Sequence, residues 1–92
     1  ERPVRQLADG VVLRYPEMLR ASGANGQVLA QFVVDTNGRA LPETFKIIRS
    51  THVLFGQSVK EALPEMRFSP AAIGGKPVRQ IVQMPFQFSI SP

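Results

Sequence analysis

His52 and, six residues on, Ser58 are the nearest this sequence comes to a base and a nucleophile. A hydrolytic triad also needs a carboxylate to orient the imidazole, and nothing in the spacing around these two residues supplies one. The chain has no cysteine, which excludes thiolate chemistry, disulfides and a nitrogen–sulfur metal cage. Glu61 and Glu65 fall one turn apart on the polar side of a helical pattern, where carboxylates stay solvated rather than share a proton. "IGGKP" has a phosphate loop's glycines and lysine but not its GxxxxGK[ST] spacing or its strand-to-helix setting. The reading is therefore no catalytic residue, no metal site and no cofactor. His52 reads as a surface or structural residue near a helix start.

What remains is the chemistry of the backbone. "RQIVQMPFQFSI", residues 79–90, alternates cleanly, with Val82, Met84, Phe86, Phe88 and Ile90 on one side and Gln83, Pro85, Gln87 and Ser89 on the other. Period two of this kind marks a half-buried strand. Counted from Val78 it runs about 13 residues, roughly 43 Å, where about five or six residues is usual. Proline within a strand is nearly confined to edges and bulges, so Pro85 predicts that this strand lies at a sheet border.

The elements that must hold such an edge follow from the rest of the pattern. Residues 1–14 lack a sustained period and read as an extended lead-in to a domain over residues 15–92. "YPEMLRASG" predicts a short helix, with Pro16 at its start, Met18 and Leu19 as its apolar face and Gly23 as its left-handed end. "GQVLAQFVVD" predicts a first strand burying Val28, Ala30, Phe32 and Val34. Asn37-Gly38 is a tight-hairpin signal, and "ALPETFKIIRS" returns as a second strand with Leu41, Phe45 and Ile47 inward and Pro42 at an unpaired position. In "HVLFGQSVKEALPEM" the period changes to helical, with Phe55, Val59, Ala62, Leu63 and Met66 on one stripe. Ser50 or Thr51 is expected to cap that helix and Pro64 to end it. "RFSPAAIGGKP" reads as a connection. The fold class is α+β: a three-stranded antiparallel sheet in the order 2-1-3, a short N-terminal helix, and one longer helix packed on one face.

Composition bounds the partners. The chain has 92 residues, 43% hydrophobic and 20% charged, enough for one core and one domain. No apolar run is long enough to span a membrane. Because the sequence starts at Glu1, it is expected to be part of a longer chain, with any anchor elsewhere. The net charge of +4 comes from singly scattered Lys and Arg without interleaved aromatics, which argues against nucleic acid as a partner.

In order and spacing these motifs resemble the C-terminal domain of TonB energy transducers over residues 12–90. The resemblance is carried by Tyr15 and Pro16 opening the short helix, Gly26 and Val28 opening the first strand, and Asp35, Gly38 and Arg39 at the hairpin. Phe68 and Pro70 after the second helix, then Gly75, Val78, Phe86 and Phe88, complete it. Two features depart from that pattern: a slightly longer "RALPETF" after the hairpin, and Pro64 where the family's helix often continues. The resemblance implies a periplasmic domain, anchored to the inner membrane by a segment outside this chain and driven through ExbB–ExbD. It would bind the TonB box of outer-membrane receptors and support uptake of siderophores, cobalamin or similar solutes. Combined with the edge argument, it makes Arg79, Gln80, Ile81, Val82, Gln83, Met84 and Gln87 candidate partner-binding residues, paired in parallel with the visiting segment. Val12, Leu13 and Arg14 correspond to a region that also touches the receptor. The alternatives are a TolA-like assembly module without transport, and a homodimer formed through the same edge.

Overall fold

The computed structural model describes residues 1–7 and 13–90. In chain order these form β1 (Arg5–Gln6), α1 (Glu17–Ala21), β2 (Gly26–Val34), β3 (Lys46–Ser50), α2 (Val53–Ala62), β4 (Phe68–Ser69), β5 (Ala71–Ile73), β6 (Lys76–Val78) and β7 (Gln80–Phe88). Alternation builds the sheet as the sequence implies. Val28, Ala30, Phe32 and Val34 of β2 are buried, and Phe86 and Phe88 of β7 join them. The three principal strands run in the order β3-β2-β7, all neighbours antiparallel, which is the expected 2-1-3 arrangement with the long C-terminal strand at the border.

One helix covers one face. Phe55 and Val59 of α2, then Leu63 and Met66, bury against the even-numbered side chains of β2. Full burial of side chains of this size is worth roughly 1.5–3 kcal/mol each. Phe55 is the hub: it stacks on Phe88 at 4.5 Å between centroids and meets Tyr15 edge-on at 5.6 Å. Gly26 faces that ring, and a Cβ there would overlap it. Pro64 ends the helix as expected, since the chain tightens into a 3-10 turn over Leu63–Glu65.

Several local expectations are corrected. His52, not Ser50 or Thr51, caps α2: its Nδ1 accepts the Leu54 amide at 3.0 Å. Both hydroxyls are already committed, Ser50 to the His52 carbonyl and Thr51 to Gln27. At the hairpin only Gly38 has positive φ, +80°, while Asn37 does not. The turn is instead tied by Asp35, whose Oδ1 accepts the amides of Asn37 and Arg39. Pro42 opens a 3-10 turn, and of the three residues expected inward after the hairpin, Leu41 and Phe45 are half-buried and Ile47 is exposed. In α1 only Leu19 docks, leaving Met18 69% exposed. The stretch read as a plain connection carries β4 and a β5–β6 hairpin. The lead-in is not free of structure either: β1 pairs with β4, and Arg2 bridges Ala72.

A candidate strand-accepting edge

Hydrogen bonds on the far side of β2 decide which groups of β7 are free. Gln27 and Val33 direct their backbone groups toward the β3 side: Thr51 donates to the Gln27 carbonyl at 3.0 Å and Leu41 to that of Val33 at 2.9 Å. The Val33 amide donates to the Thr44 hydroxyl at 2.9 Å. Backbone groups alternate sides along a strand, so the even residues of β2 face β7. The register from Gly26↔Phe88 to Val34↔Gln80 is unbroken, and Leu29 faces Pro85. Gln80, Val82, Met84, Phe86 and Phe88 therefore bond to β2, while Ile81, Gln83, Pro85 and Gln87 turn their backbone groups outward. The one residue with no N–H to give is placed where the ladder does not need it. Outward donors remain at Ile81, Gln83 and Gln87, and Pro85 still offers its carbonyl, while the Ile81 carbonyl accepts the Gln80 side-chain amide at 3.2 Å and keeps one lone pair for a visitor.

The sheet has a second border, and the two differ. β3 is five residues long, carries Lys46 and Arg49, and breaks register between Leu29 and Ala30 of its partner, leaving Ile48 as an extra, bulged residue. Short length, charge and a bulge are the usual devices that blunt an edge. The nine residues of β7 contain no charge and no bulge. Of the two borders, β7 is the one able to accept another extended chain.

The predicted residues fall into separate groups. Arg79, Gln80, Ile81, Gln83 and Gln87 are exposed, with Ile81 60% exposed. Val82 and Met84 are half-buried against the core, so each offers an incomplete apolar wall at the border. Gln83 donates through its side chain to Gln31 across the open sheet face at 3.1 Å. Leu13 packs on the core. Arg14 is held at α2, where its carbonyl accepts from the buried Ser58 and it lines a hollow of about 160 Å³ with Pro16, Leu54, Gln57 and Glu61. No hydrogen bond among the described residues joins Arg14 to the β7 border, and Val12 lies outside the described residues.

Sequence reasoning missed a larger concavity of about 850 Å³ between β3 and α2, floored by Phe45, Ile47, Val53 and Gly56. Its signal was Gly56, a gap in the helix's apolar stripe that lets Ile47 approach within 3.1 Å of where a Cβ would stand.

Comparison with known proteins places this geometry. The family model described as Gram-negative bacterial TonB protein C-terminal matches residues 11–90. Protein TonB of Vibrio cholerae is 30% identical over 77 residues, which is 84% of this chain and 31% of that protein. Protein TonB of Pseudomonas aeruginosa is 31% identical over 77 residues, 83% of this chain and 22% of that protein. The chain thus spans less than a third of the length of either relative. The solution NMR structure of the Pseudomonas aeruginosa TonB C-terminal domain aligns with a TM-score of 0.74 at 29% identity, covering 100% of this chain and 91% of that one.

Proposed function

The chain belongs to the family of Gram-negative bacterial TonB C-terminal domains, and from that premise we propose that it is the periplasmic receptor-binding domain of an energy transducer. In this proposal a short extended segment of an outer-membrane receptor, its TonB box, adds in parallel to the free border of β7. Work supplied at the inner membrane through ExbB–ExbD, by way of an anchor outside this chain, then opens the receptor to siderophores, cobalamin or similar scarce solutes. Ile81 and Gln83 contribute both backbone groups, Arg79, Gln80, Val82, Met84 and Gln87 flank the visitor, and Val12, Leu13 and Arg14 make a secondary contact. The observation that carries the reading is the outward set of β7 backbone groups on an uncharged border.

The energetics favour a reversible complex. A visitor along residues 80–84 gains two bonds at Ile81 and two at Gln83. At about 0.5–1.5 kcal/mol net each, they offset much of the ~1–2 kcal/mol of ordering per visiting residue. Contacts with Val82, Met84 and Ile81 tip the balance. The test is an NMR titration with TonB-box peptides from receptors of the same organism. The expected result is perturbation centred on the Ile81 and Gln83 amides. Perturbation centred on Gln57, Lys60 and Glu61 of α2, with those amides unmoved, would rule the site out.

A further inference from the structure

We propose that Met84 is a modification site through which oxidants close the β7 border, because turning its thioether into a sulfoxide removes the apolar wall a paired chain needs. This rests on the strand-addition reading. The chain has three methionines and no cysteine, so every sulfur it carries is a thioether. The fold gives the three unlike surroundings. Met18, on α1, is 69% exposed, while Met66 is 1% exposed in the core. Met84 is half-buried: it packs on the core from the border strand, with its outer flank open where no further strand follows. Across the ladder it faces Ala30, the smallest of the four inward side chains of β2, so no bulky neighbour seals it from that side. It also stands midway along the outward backbone groups of residues 81, 83, 85 and 87.

The chemistry is a single oxygen transfer. The sulfur lone pair attacks one oxygen of hydrogen peroxide, the O–O bond breaks, and the departing hydroxide takes the remaining proton. Sulfur is oxidised by two electrons, the peroxide is reduced, and the products are sulfoxide and water. The sulfoxide is polar and chiral, and methionine sulfoxide reductases return it to the thioether. At Met66 that group would sit in the core, but the folded chain keeps the oxidant out. At Met18 it alters a solvated side chain that meets no proposed partner. At Met84 the S–O dipole turns outward to water, so the domain stays folded while the apolar wall shared with Val82 is lost.

Peroxide titration of the Met18→Leu domain, read by peptide mapping and by affinity for a TonB-box peptide, tests this. Met84 is expected to gain one oxygen well before Met66, and bound peptide to slow that gain. The oxidised domain is expected to keep its dispersed amide spectrum while Kd rises about three- to tenfold, and methionine sulfoxide reductase to reverse the rise. Met84→Leu in the same background is expected to bind equally before and after peroxide, whatever its starting affinity. Unchanged affinity with Met84 oxidised overturns this inference and leaves strand addition standing. So does a comparable fall in the Met84→Leu domain, or oxidation of Met84 no faster than that of Met66. Loss of affinity together with the dispersed spectrum makes the lesion one of stability and overturns the border assignment. Absence of Ile81 and Gln83 perturbations in the untreated domain overturns both readings.

Discussion

Replacing Pro85 with alanine returns one N–H to the outer border of β7 and changes nothing the β2 ladder uses. The free border then offers donors at residues 81, 83, 85 and 87 in unbroken succession. For a peptide long enough to pass residue 85, one more backbone bond of about 0.5–1.5 kcal/mol tightens binding about two- to twelvefold. The domain itself weakens slightly, because losing a proline widens the unfolded ensemble by about 0.4–1 kcal/mol. In a domain this size that lowers Tm by about 2–8 °C. Calorimetric titration with long and short peptides separates the effects: the gain belongs to the long peptide only. Amide exchange supplies the stricter check. In the free P85A domain the new amide at position 85 is expected to exchange quickly, as those of Ile81 and Gln83 do, while Met84 and Phe86 stay protected; bound peptide then protects it. If that new amide is as protected in the free domain as its two neighbours, the backbone assignment is refuted, and with it the account of why proline is tolerated there.

Proline scanning tests the same alternation from the other side. Gln83→Pro is expected to cut peptide affinity about tenfold or more with Tm little changed, whereas Met84→Pro strips a donor from the β2 ladder and costs about 1–3 kcal/mol of stability in chemical denaturation. Gly26→Ala forces a methyl into the Phe55 ring and is expected to cost about 1–3 kcal/mol in the same assay. Gly38→Ala combines a φ of +80° with a Cβ driven onto the Phe68 carbonyl, so it should cost at least ~2 kcal/mol and loosen β4, which hydrogen exchange would register.

Strong periodicity was legible, and long-range choice was not. The alternating run in β2 and β7, the helical stripe through Phe55 and Val59, and the border position implied by Pro85 all follow from residue order, because each is a repeated local constraint. β1, β4, β5 and β6 are two or three residues long, too short for a period, and exist only because distant segments meet. The α2 cap shows the same limit. Ser50 and Thr51 are better capping residues by type, yet Thr51 is claimed by Gln27 of β2 and Ser50 by the His52 carbonyl, which leaves the role to His52. Which β7 groups face outward needed the Gln27 and Val33 hydrogen bonds, which no pattern of side chains reveals.

The inequality of the two sheet borders also limits what copies of this domain can do to one another. One rim keeps an open row of backbone groups, and the other is blunted by its bulge at Ile48 and its two cations. Two molecules joined along that rim would leave no second open rim of this sheet for a third, so pairing of that kind closes at two.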